Sequence, residues 1–264
     1  MELVTLAEIV AARERIRGTA VFTPMIEVPW PRLSQGSGEA GSPRPQDLTT
    51  SRPLLLKAES LQPMGAFKIR GAFNMISQLP KENLERGVIT YSSGNHGQAV
   101  ALAAKKLGAL AVIVMPTTAP QVKIDGCKSY GAEVIMAGTT SLDRQQRAEQ
   151  EARDRGLTMV PPFDHKQIII GQGTIGLEIL EQCPDVGTVF VPVGGGGMAS
   201  GVAAAIKLSK PGVRIVAVEP SGAVTTAAVA LGLGHVDPAN GPVVAVVSGG
   251  NVAPEAFARY VAQA

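Results

Sequence analysis

The sequence has few of the residues that build disulfide frameworks or metal centres. Only two cysteines, Cys127 and Cys183, occur among 264 residues, and neither lies in a CxxC pair or near a histidine at metal-ligand spacing. A disulfide framework and a structural zinc site are therefore not expected, and no metal is predicted. Aromatic residues make up only 4% and charged residues 17%, whereas hydrophobic residues make up 45%. This balance is typical of a globular protein and excludes a disordered or fibrous one.

Neither an excess of one charge nor a long apolar run is present. The formal net charge is +2, which is too small for the basic surface of a nucleic-acid-binding protein, so no nucleic-acid partner is expected. No segment approaches the run of about 18 apolar residues that a membrane-spanning helix needs. Residues 1–18 carry acidic residues among apolar ones, a pattern that predicts an amphipathic helix and not a signal peptide. The prediction is a cytoplasmic protein without membrane contact.

What the sequence does contain is an alternation of short apolar runs and helical patterns. The runs are typical of parallel strands that are covered on both faces. They occupy residues 54–58, 88–91, 111–115, 133–136, 188–193, 214–218 and 243–247. The helical patterns occupy residues 66–79, 96–107, 119–130, 142–155, 175–182, 198–208 and 223–231. The predicted fold is α/β, with two lobes of open parallel sheet and helices on both faces.

Two other features of the chain complete this organisation. Residues 33–53 are rich in Gly, Ser, Pro and Thr, which predicts an exposed loop. In open α/β folds, ligands bind beyond the carboxyl ends of the strands. The candidate functional residues are therefore those that directly follow each apolar run.

Four consecutive glycines, Gly194 to Gly197, follow the run 188–193 and precede an Ala-rich helical pattern; we call them the glycine turn. Glycines let the backbone turn sharply and bring several N–H groups onto one anion, and the helix adds its positive dipole end. No Lys-Ser/Thr pair follows, so this is not a nucleotide P-loop. Phosphate binding is the favoured interpretation, and a tight structural turn is the alternative.

The segment Ser92 to Gly97 follows the run 88–91 at the mouth of the next helical pattern. Its small residues expose backbone N–H donors that suit a carboxylate. Alternatively, Ser93 or Asn95 caps the helix and His96 is an ordinary first-turn residue. Ser248, which follows the run 243–247, either lies in a plain loop or directs its hydroxyl at a bound ring.

Lys68 lies early in the helical pattern 66–79, between the apolar residues Phe67 and Ile69. A lysine on an apolar cleft wall can lose its proton and form a Schiff base with a carbonyl compound. The alternative is a surface lysine whose alkyl stem covers apolar neighbours, and the segment alone favours that alternative.

Taken in order, these segments resemble the fold-type II pyridoxal-phosphate enzymes, within the threonine/serine dehydratase and serine racemase family. The resemblance covers nearly the whole chain and includes further segments at 57–63, 123–131, 162–164 and 171–174. It implies a fold like that of the tryptophan synthase β-subunit. The large, discontinuous cofactor-binding domain would comprise residues 1–76 and 164–264, and the small domain residues 77–163. The resemblance also implies pyridoxal 5′-phosphate as the cofactor and self-association into a homo-oligomer.

The resemblance assigns roles to the residues singled out above. Lys68 would bind the cofactor aldehyde and, once the substrate has released it, act as the base on the α-carbon. The residues implied to bind the cofactor are Phe67, Lys68, Asn95, Gly194, Gly195, Gly196, Gly197 and Ser248. Those implied to receive the substrate carboxylate are Ser93, Gly94, Asn95 and His96. Among these, Asn95 would bind the ring hydroxyl and Ser248 would face the pyridine nitrogen.

The neutral hydroxyl of Ser248 does not force the pyridine nitrogen to be protonated, so the ring would be a weaker electron sink. A substrate with a β-hydroxyl group avoids a long-lived carbanion because it expels water. The predicted activity is therefore that of a dehydratase (ammonia-lyase), which converts L-threonine or L-serine to a 2-oxo acid and ammonia. Ser93, on the face opposite Lys68, can instead move a proton there, so a serine racemase is the alternative.

The sequence departs from the family's pattern at two places. Ala66 stands where a serine is common two residues before the lysine. Glu219-Pro220 run straight into Ser221, although the family separates these two segments by several elements, and this fusion predicts an internal deletion. The role of Glu219 is then ambiguous, and Thr225 stands where the family's cation site has an acidic residue. A catalytically impaired, truncated paralogue is the third possibility.

Overall fold

The computed structural model describes residues 3–29, 53–92, 94–219 and 241–251. Its helices are α1 (Leu6–Arg15), α2 (Ile69–Ile76), α3 (Lys81–Arg86), α4 (Asn95–Leu107), α5 (Gln121–Ser129), α6 (Ser141–Arg155), α7 (Lys166–Gln182) and α8 (Gly197–Ser209). Its strands are β1 (Met25–Val28), β2 (Leu54–Lys57), β3 (Val88–Tyr91), β4 (Ala111–Met115), β5 (Glu133–Met136), β6 (Thr158–Met159), β7 (Thr188–Pro192), β8 (Arg214–Val218) and β9 (Val243–Val246).

The described strands form two sheets. The larger has the order β1-β2-β9-β7-β8 and the smaller has the order β5-β4-β3-β6. All strand pairs are parallel except β1 and β2, which are antiparallel. The predicted α/β class with two parallel sheets is confirmed, with the difference that the larger sheet is mixed.

The two faces of the smaller sheet are covered by different helices. Ile113 and Met115 of β4 pack in one apolar cluster with residues of α4. Val112 and Val114 of the same strand point the other way and pack with Ala148 of α6. This alternation explains why β4 is apolar at every position and why it was predictable as a continuous run.

The boundaries of several elements differ from the sequence prediction for physical reasons. The sequence predicts no strand at β1, because prolines flank this segment. Its residues are at most partly buried, so its apolar pattern is weak. Helix α7 begins at Lys166, before the predicted helix start at residue 175. The start was predicted too late because glycines interrupt the apolar pattern of this helix. One of those glycines serves close packing: a Cβ atom on Gly173 would lie 3.0 Å from the carbonyl oxygen of Gly201 in α8. The predicted helix 223–231, most of the loop 33–53 and the junction after Glu219 lie outside the described residues.

The division into domains is compatible with the sheets, although it stays a prediction. The smaller sheet and helices α3 to α6 come from residues 81–159, inside the proposed small domain 77–163.

Within the described ranges, no helix combines the length and apolar character needed to cross a bilayer. The same ranges contain no group of three or more His, Cys, Asp and Glu side chains arranged to hold a metal ion. Cys127 and Cys183 are both buried free thiols.

Four charged side chains form a buried charge network beneath α2: Lys57, Glu59, Arg70 and Glu178, each at most 3% exposed. The Arg70 guanidinium bridges the two acids, with Nε 2.8 Å from Glu59 Oε2 and Nη1 2.6 Å from Glu178 Oε1. The Lys57 Nζ lies 2.6 Å from Glu178 Oε2. Burial alone would raise the pKa of Glu59, but the charge and hydrogen bonds of Arg70 lower it. The network therefore joins α2, α7 and β2 through ionised groups.

Candidate active site

Lys68 immediately precedes α2 and points into the protein. Its Nζ donates a hydrogen bond to the carbonyl oxygen of Pro162 at 2.6 Å. It also lies 5.1 Å from the centre of the Phe67 ring. Burial lowers the pKa of the Lys68 amine to about 8. Lys68 is half-buried, and its amine is bound to the backbone of the protein, which favours a cleft lysine over a lysine that extends into solvent.

The segment around Lys68 pairs with the segment that follows β9. The backbone N–H of Phe67 donates to the carbonyl oxygen of Ser248 at 3.1 Å, and Ala66 and Gly249 form an antiparallel bridge. A Cβ atom on Gly249 would lie 3.1 Å from the Ala66 Cβ, so a larger residue at 249 would push the two segments apart. The structure thus brings the predicted residues Phe67, Lys68 and Ser248 together.

Asn95, the first residue of α4, meets the same two segments. Its Oδ1 accepts a hydrogen bond from Asn251 Nδ2 at 2.9 Å. Asn251 Nδ2 also donates to the carbonyl oxygen of Met64 at 2.8 Å, ahead of the lysine. Sequence reasoning did not assign a role to Asn251, although it lies in the same post-strand segment as Ser248. Asn251 therefore couples the start of α4 to the backbone that carries Lys68.

His96 is buried at 4% exposure in the first turn of α4. Its Nε2 lies 3.0 Å from the carbonyl oxygen of Val160, which can only accept, so the ring proton is on Nε2. Burial, aided by the charge of Lys68, lowers the His96 pKa to about 3. The ring is therefore neutral, and its buried Nδ1 has no hydrogen-bond partner. Because Nδ1 is an acceptor, any contact of His96 with a carboxylate would be made by its backbone N–H. Ser93 lies outside the described residues.

The glycine turn connects β7 to α8 and is open on one side. Gly196 has φ of 83°, in the left-handed region that favours glycine. Helix α8 has no side-chain cap and no acidic residue in its first turn. Its first N–H groups are therefore available to an anion, and its dipole favours one. A Cβ atom on Gly194 would meet nothing within 4 Å. This arrangement fits a phosphate group.

Pro162 and Phe163, which precede α7, connect the Lys68 side chain to the glycine turn. The carbonyl oxygen of Pro162 holds the Lys68 amine. The next residue, Phe163, packs on the turn: a Cβ atom on Gly195 would lie 2.1 Å from its Cγ, and one on Gly197 would lie 2.7 Å from its carbonyl oxygen. The Lys68 amine and the backbone of the glycine turn therefore contact one short stretch of chain. Neither contact has a local sequence signal, because both join distant segments.

The glycine turn yields a prediction about stability. Gly197→Ala is expected to lower the free energy of unfolding by about 1–3 kcal/mol, because the added methyl group would strike the Phe163 carbonyl. Gly194→Ala, where the methyl group has open space, is the matched control and is expected to change stability by less than about 0.5 kcal/mol. Urea unfolding of both variants measures the difference. Equal effects of the two substitutions would contradict this account of the turn.

Comparisons with known proteins agree with this geometry. The sequence model of the family described as "Pyridoxal-phosphate dependent enzyme" matches residues 40–259. A threonine dehydratase of Nicotiana attenuata is 52% identical over 168 residues, which are 64% of this chain and 28% of that protein. A catabolic L-threonine dehydratase of Staphylococcus aureus is 43% identical over 217 residues, which are 82% of this chain and 59% of that protein. The chain thus spans less than two thirds of the length of these relatives.

Solved structures show the same fold over almost the whole chain. The processed form of threonine deaminase isoform 2 from Solanum lycopersicum has a TM-score of 0.78 at 30% identity. The superposition covers 98% of this chain and 87% of the deaminase chain. Maize serine racemase has a TM-score of 0.80 at 28% identity. The superposition covers 99% of this chain and 98% of the racemase chain. The resemblance noted in the sequence is confirmed, because the family match extends over most of the chain and a fold of the same kind surrounds the lysine. The chain belongs to the pyridoxal-phosphate dependent enzymes.

Proposed function

We propose that this chain binds pyridoxal 5′-phosphate through Lys68 and eliminates water from a small hydroxyamino acid, L-threonine or L-serine. The observation that carries the proposal is the position of the Lys68 amine, 2.6 Å from the Pro162 carbonyl oxygen. The residue after Pro162 packs against the glycine turn. An amine and a phosphate site at the two ends of one short stretch suit a ligand with both an aldehyde and a phosphate. The similarity to threonine dehydratases supports the choice of substrate.

The described residues fit the cofactor group by group. The amine of Lys68, with its lowered pKa, is suited to hold the aldehyde. The glycine turn and the uncapped start of α8 would hold the phosphate. Asn95 and Ser248 would contact the ring. When bound, the cofactor withdraws electrons from the α-carbon of the amino acid and makes its α-proton acidic.

The chain's own residues would then act on the substrate. The backbone N–H groups at the start of α4 would orient the carboxylate. The neutral Lys68 amine would accept the α-proton, while the Pro162 carbonyl holds the resulting ammonium. The β-hydroxyl group would leave as water, and the proton that it takes up is balanced by the α-proton that Lys68 accepts. Hydrolysis of the unsaturated product consumes one water and releases ammonia and a 2-oxo acid.

The lowered pKa of Lys68 predicts how cofactor attachment depends on pH. Below about pH 8 the amine is protonated and cannot attack the aldehyde, so the attachment rate should rise about tenfold per pH unit. It should level off above the pKa of about 8. A lysine with the ordinary pKa of about 10.4 would show no plateau below pH 10. Stopped-flow absorbance between about pH 6 and pH 10 gives the profile, and a continuous rise to pH 10 would contradict the burial effect.

A direct assay tests the proposed reaction. Purified protein loaded with pyridoxal 5′-phosphate is expected to release a 2-oxo acid and ammonia from L-threonine or L-serine in equal amounts. Cofactor binding without 2-oxo acid formation would overturn the dehydratase proposal and favour a catalytically impaired paralogue.

A serine racemase is the second candidate function, because the structure of maize serine racemase superimposes with a TM-score of 0.80. Chiral analysis of serine recovered from the same assay separates the two activities. Accumulation of D-serine with little 2-oxo acid would favour the racemase. A homo-oligomeric state and a cytoplasmic location stay predictions from the resemblance and the composition.

A further inference from the structure

We propose that Lys123 is a substrate-binding residue whose ammonium group pairs with the carboxylate of the amino acid. This inference rests on the proposed function, since it assigns a partner to the carboxylate site at the start of α4. Lys123 belongs to α5 and is only partly exposed. Its segment resembled the family, but no role in chemistry was predicted for its side chain.

The Lys123 side chain lies against Gly94, the residue that precedes α4. A Cβ atom built on Gly94 would lie 3.1 Å from Lys123 Nζ, 3.5 Å from Cδ and 3.6 Å from Cε. The ammonium group therefore occupies the space beside the backbone where α4 begins. Helix α4 is also the element that brings Asn95 and His96 into the candidate active site.

Gly94 leaves room for the Lys123 side chain beside the start of α4. A Cβ atom at this buried position would crowd the Lys123 ammonium group, which would have to shift by a few tenths of an ångström. The absence of a side chain at Gly94 thus leaves room for a lysine that belongs to a different helix.

The electrostatics at this point favour an anion. Helix α4 has neither a side-chain cap nor an acidic residue in its first turn, so its positive dipole end is uncompensated. The Lys123 ammonium adds a second positive charge at the same place. Among the described residues, no ion pair or hydrogen bond is found for it, whereas Lys166 pairs with Glu8 at 2.8 Å. The neutral ring of His96 supplies no counter-charge.

A substrate carboxylate would satisfy both positive groups at once. It would accept hydrogen bonds from the first N–H groups of α4 and pair with the Lys123 ammonium from the side. Hydrogen bonds to charged groups contribute enough for a loss of about 10- to 100-fold in affinity when one is removed. The contribution should appear only for ligands that carry the carboxylate.

The test compares two unreactive ligands in the cofactor-loaded protein. L-alanine has the carboxylate but no β-hydroxyl leaving group, and L-alaninamide lacks the negative charge. Spectral titration gives both dissociation constants for wild type, Lys123→Met, Lys123→Arg and the control Lys128→Met, which changes an exposed lysine on the same helix. Lys123→Met is expected to weaken L-alanine binding about 10- to 100-fold and leave L-alaninamide unchanged. Lys123→Arg should retain part of the preference, and Lys128→Met should behave as wild type.

The outcomes separate this inference from the proposed function. If the wild type binds cofactor and L-alanine, and Lys123→Met keeps the full preference for L-alanine, the role of Lys123 is refuted while the proposed function stands. An equal loss for both ligands would also refute it, because it would indicate a general disturbance of the site. If the loaded wild type binds neither ligand, the proposed function fails as well. Unchanged L-alaninamide binding by Lys123→Met also shows that this variant is folded.

Discussion

Replacing Lys68 with alanine is expected to lower kcat for 2-oxo acid formation from L-threonine by about 10³-fold, and to abolish covalent attachment of the cofactor. The variant loses both the amine that binds the aldehyde and the base that accepts the α-proton. A steady-state assay measures the first effect. Mass spectrometry after reduction with borohydride measures the second, since only a covalently bound cofactor adds its mass to the chain.

Two variants make this result specific. Lys68→Arg keeps a positive charge but cannot deprotonate, because the arginine pKa is above about 12, so it should be as inactive as Lys68→Ala. Lys81→Ala removes a lysine whose side chain is 89% exposed and should leave kcat unchanged. A Lys68→Ala variant within about tenfold of the wild-type kcat would refute the assignment of this residue as nucleophile and base.

The second large effect concerns stability. Arg70→Met is expected to lower the free energy of unfolding by about 3–5 kcal/mol, because it leaves the buried Glu59 carboxylate without a cation and leaves Glu178 with Lys57 alone. Glu59 and Glu178 are both buried, at 0% and 3% exposure, so water cannot replace the lost partner. Urea unfolding followed by far-UV circular dichroism measures the change.

The matched control for Arg70→Met is Arg147→Met, which breaks an ion pair on the surface of α6. Arg147 Nη2 lies 2.6 Å from Glu151 Oε1, and the Arg147 side chain is 50% exposed. Exposed pairs contribute about 0–1 kcal/mol, since water solvates the separated charges. Equal losses in the two variants would show that burial does not govern the energetics of Arg70.

The elements that position the site were largely predictable, because their own sequences carry clear apolar patterns. The runs 88–91 and 111–115 coincide with β3 and β4, since β-branched residues covered on both faces leave an uninterrupted apolar pattern. Lys68 and Ser248 were singled out by their positions next to predicted elements, but their roles come from the family resemblance and stay predictions. The structure shows that the segments before α2 and after β9 pair directly.

The unpredicted parts depend on contacts between distant residues. Phe163 on the glycine turn, Lys123 beside Gly94 and Asn251 on Asn95 each join segments that no local pattern connects. Charged residues are ordinarily exposed, so nothing in the sequence alone predicted that Arg70 is fully buried. Strand β1 was missed because its pairing with β2 is set by the fold and not by its own weak pattern.

The buried charge network has a consequence for the order in which a nascent chain acquires its structure. Its bonds to Glu178 span 121 residues from Lys57 and 108 residues from Arg70. During vectorial synthesis, these two cations leave the ribosome long before their shared acid exists, and long-range contacts of this kind form late. The helix that begins beside Lys68 is therefore fixed only when translation has passed α7, so the Lys68 amine reaches its final position only at that stage.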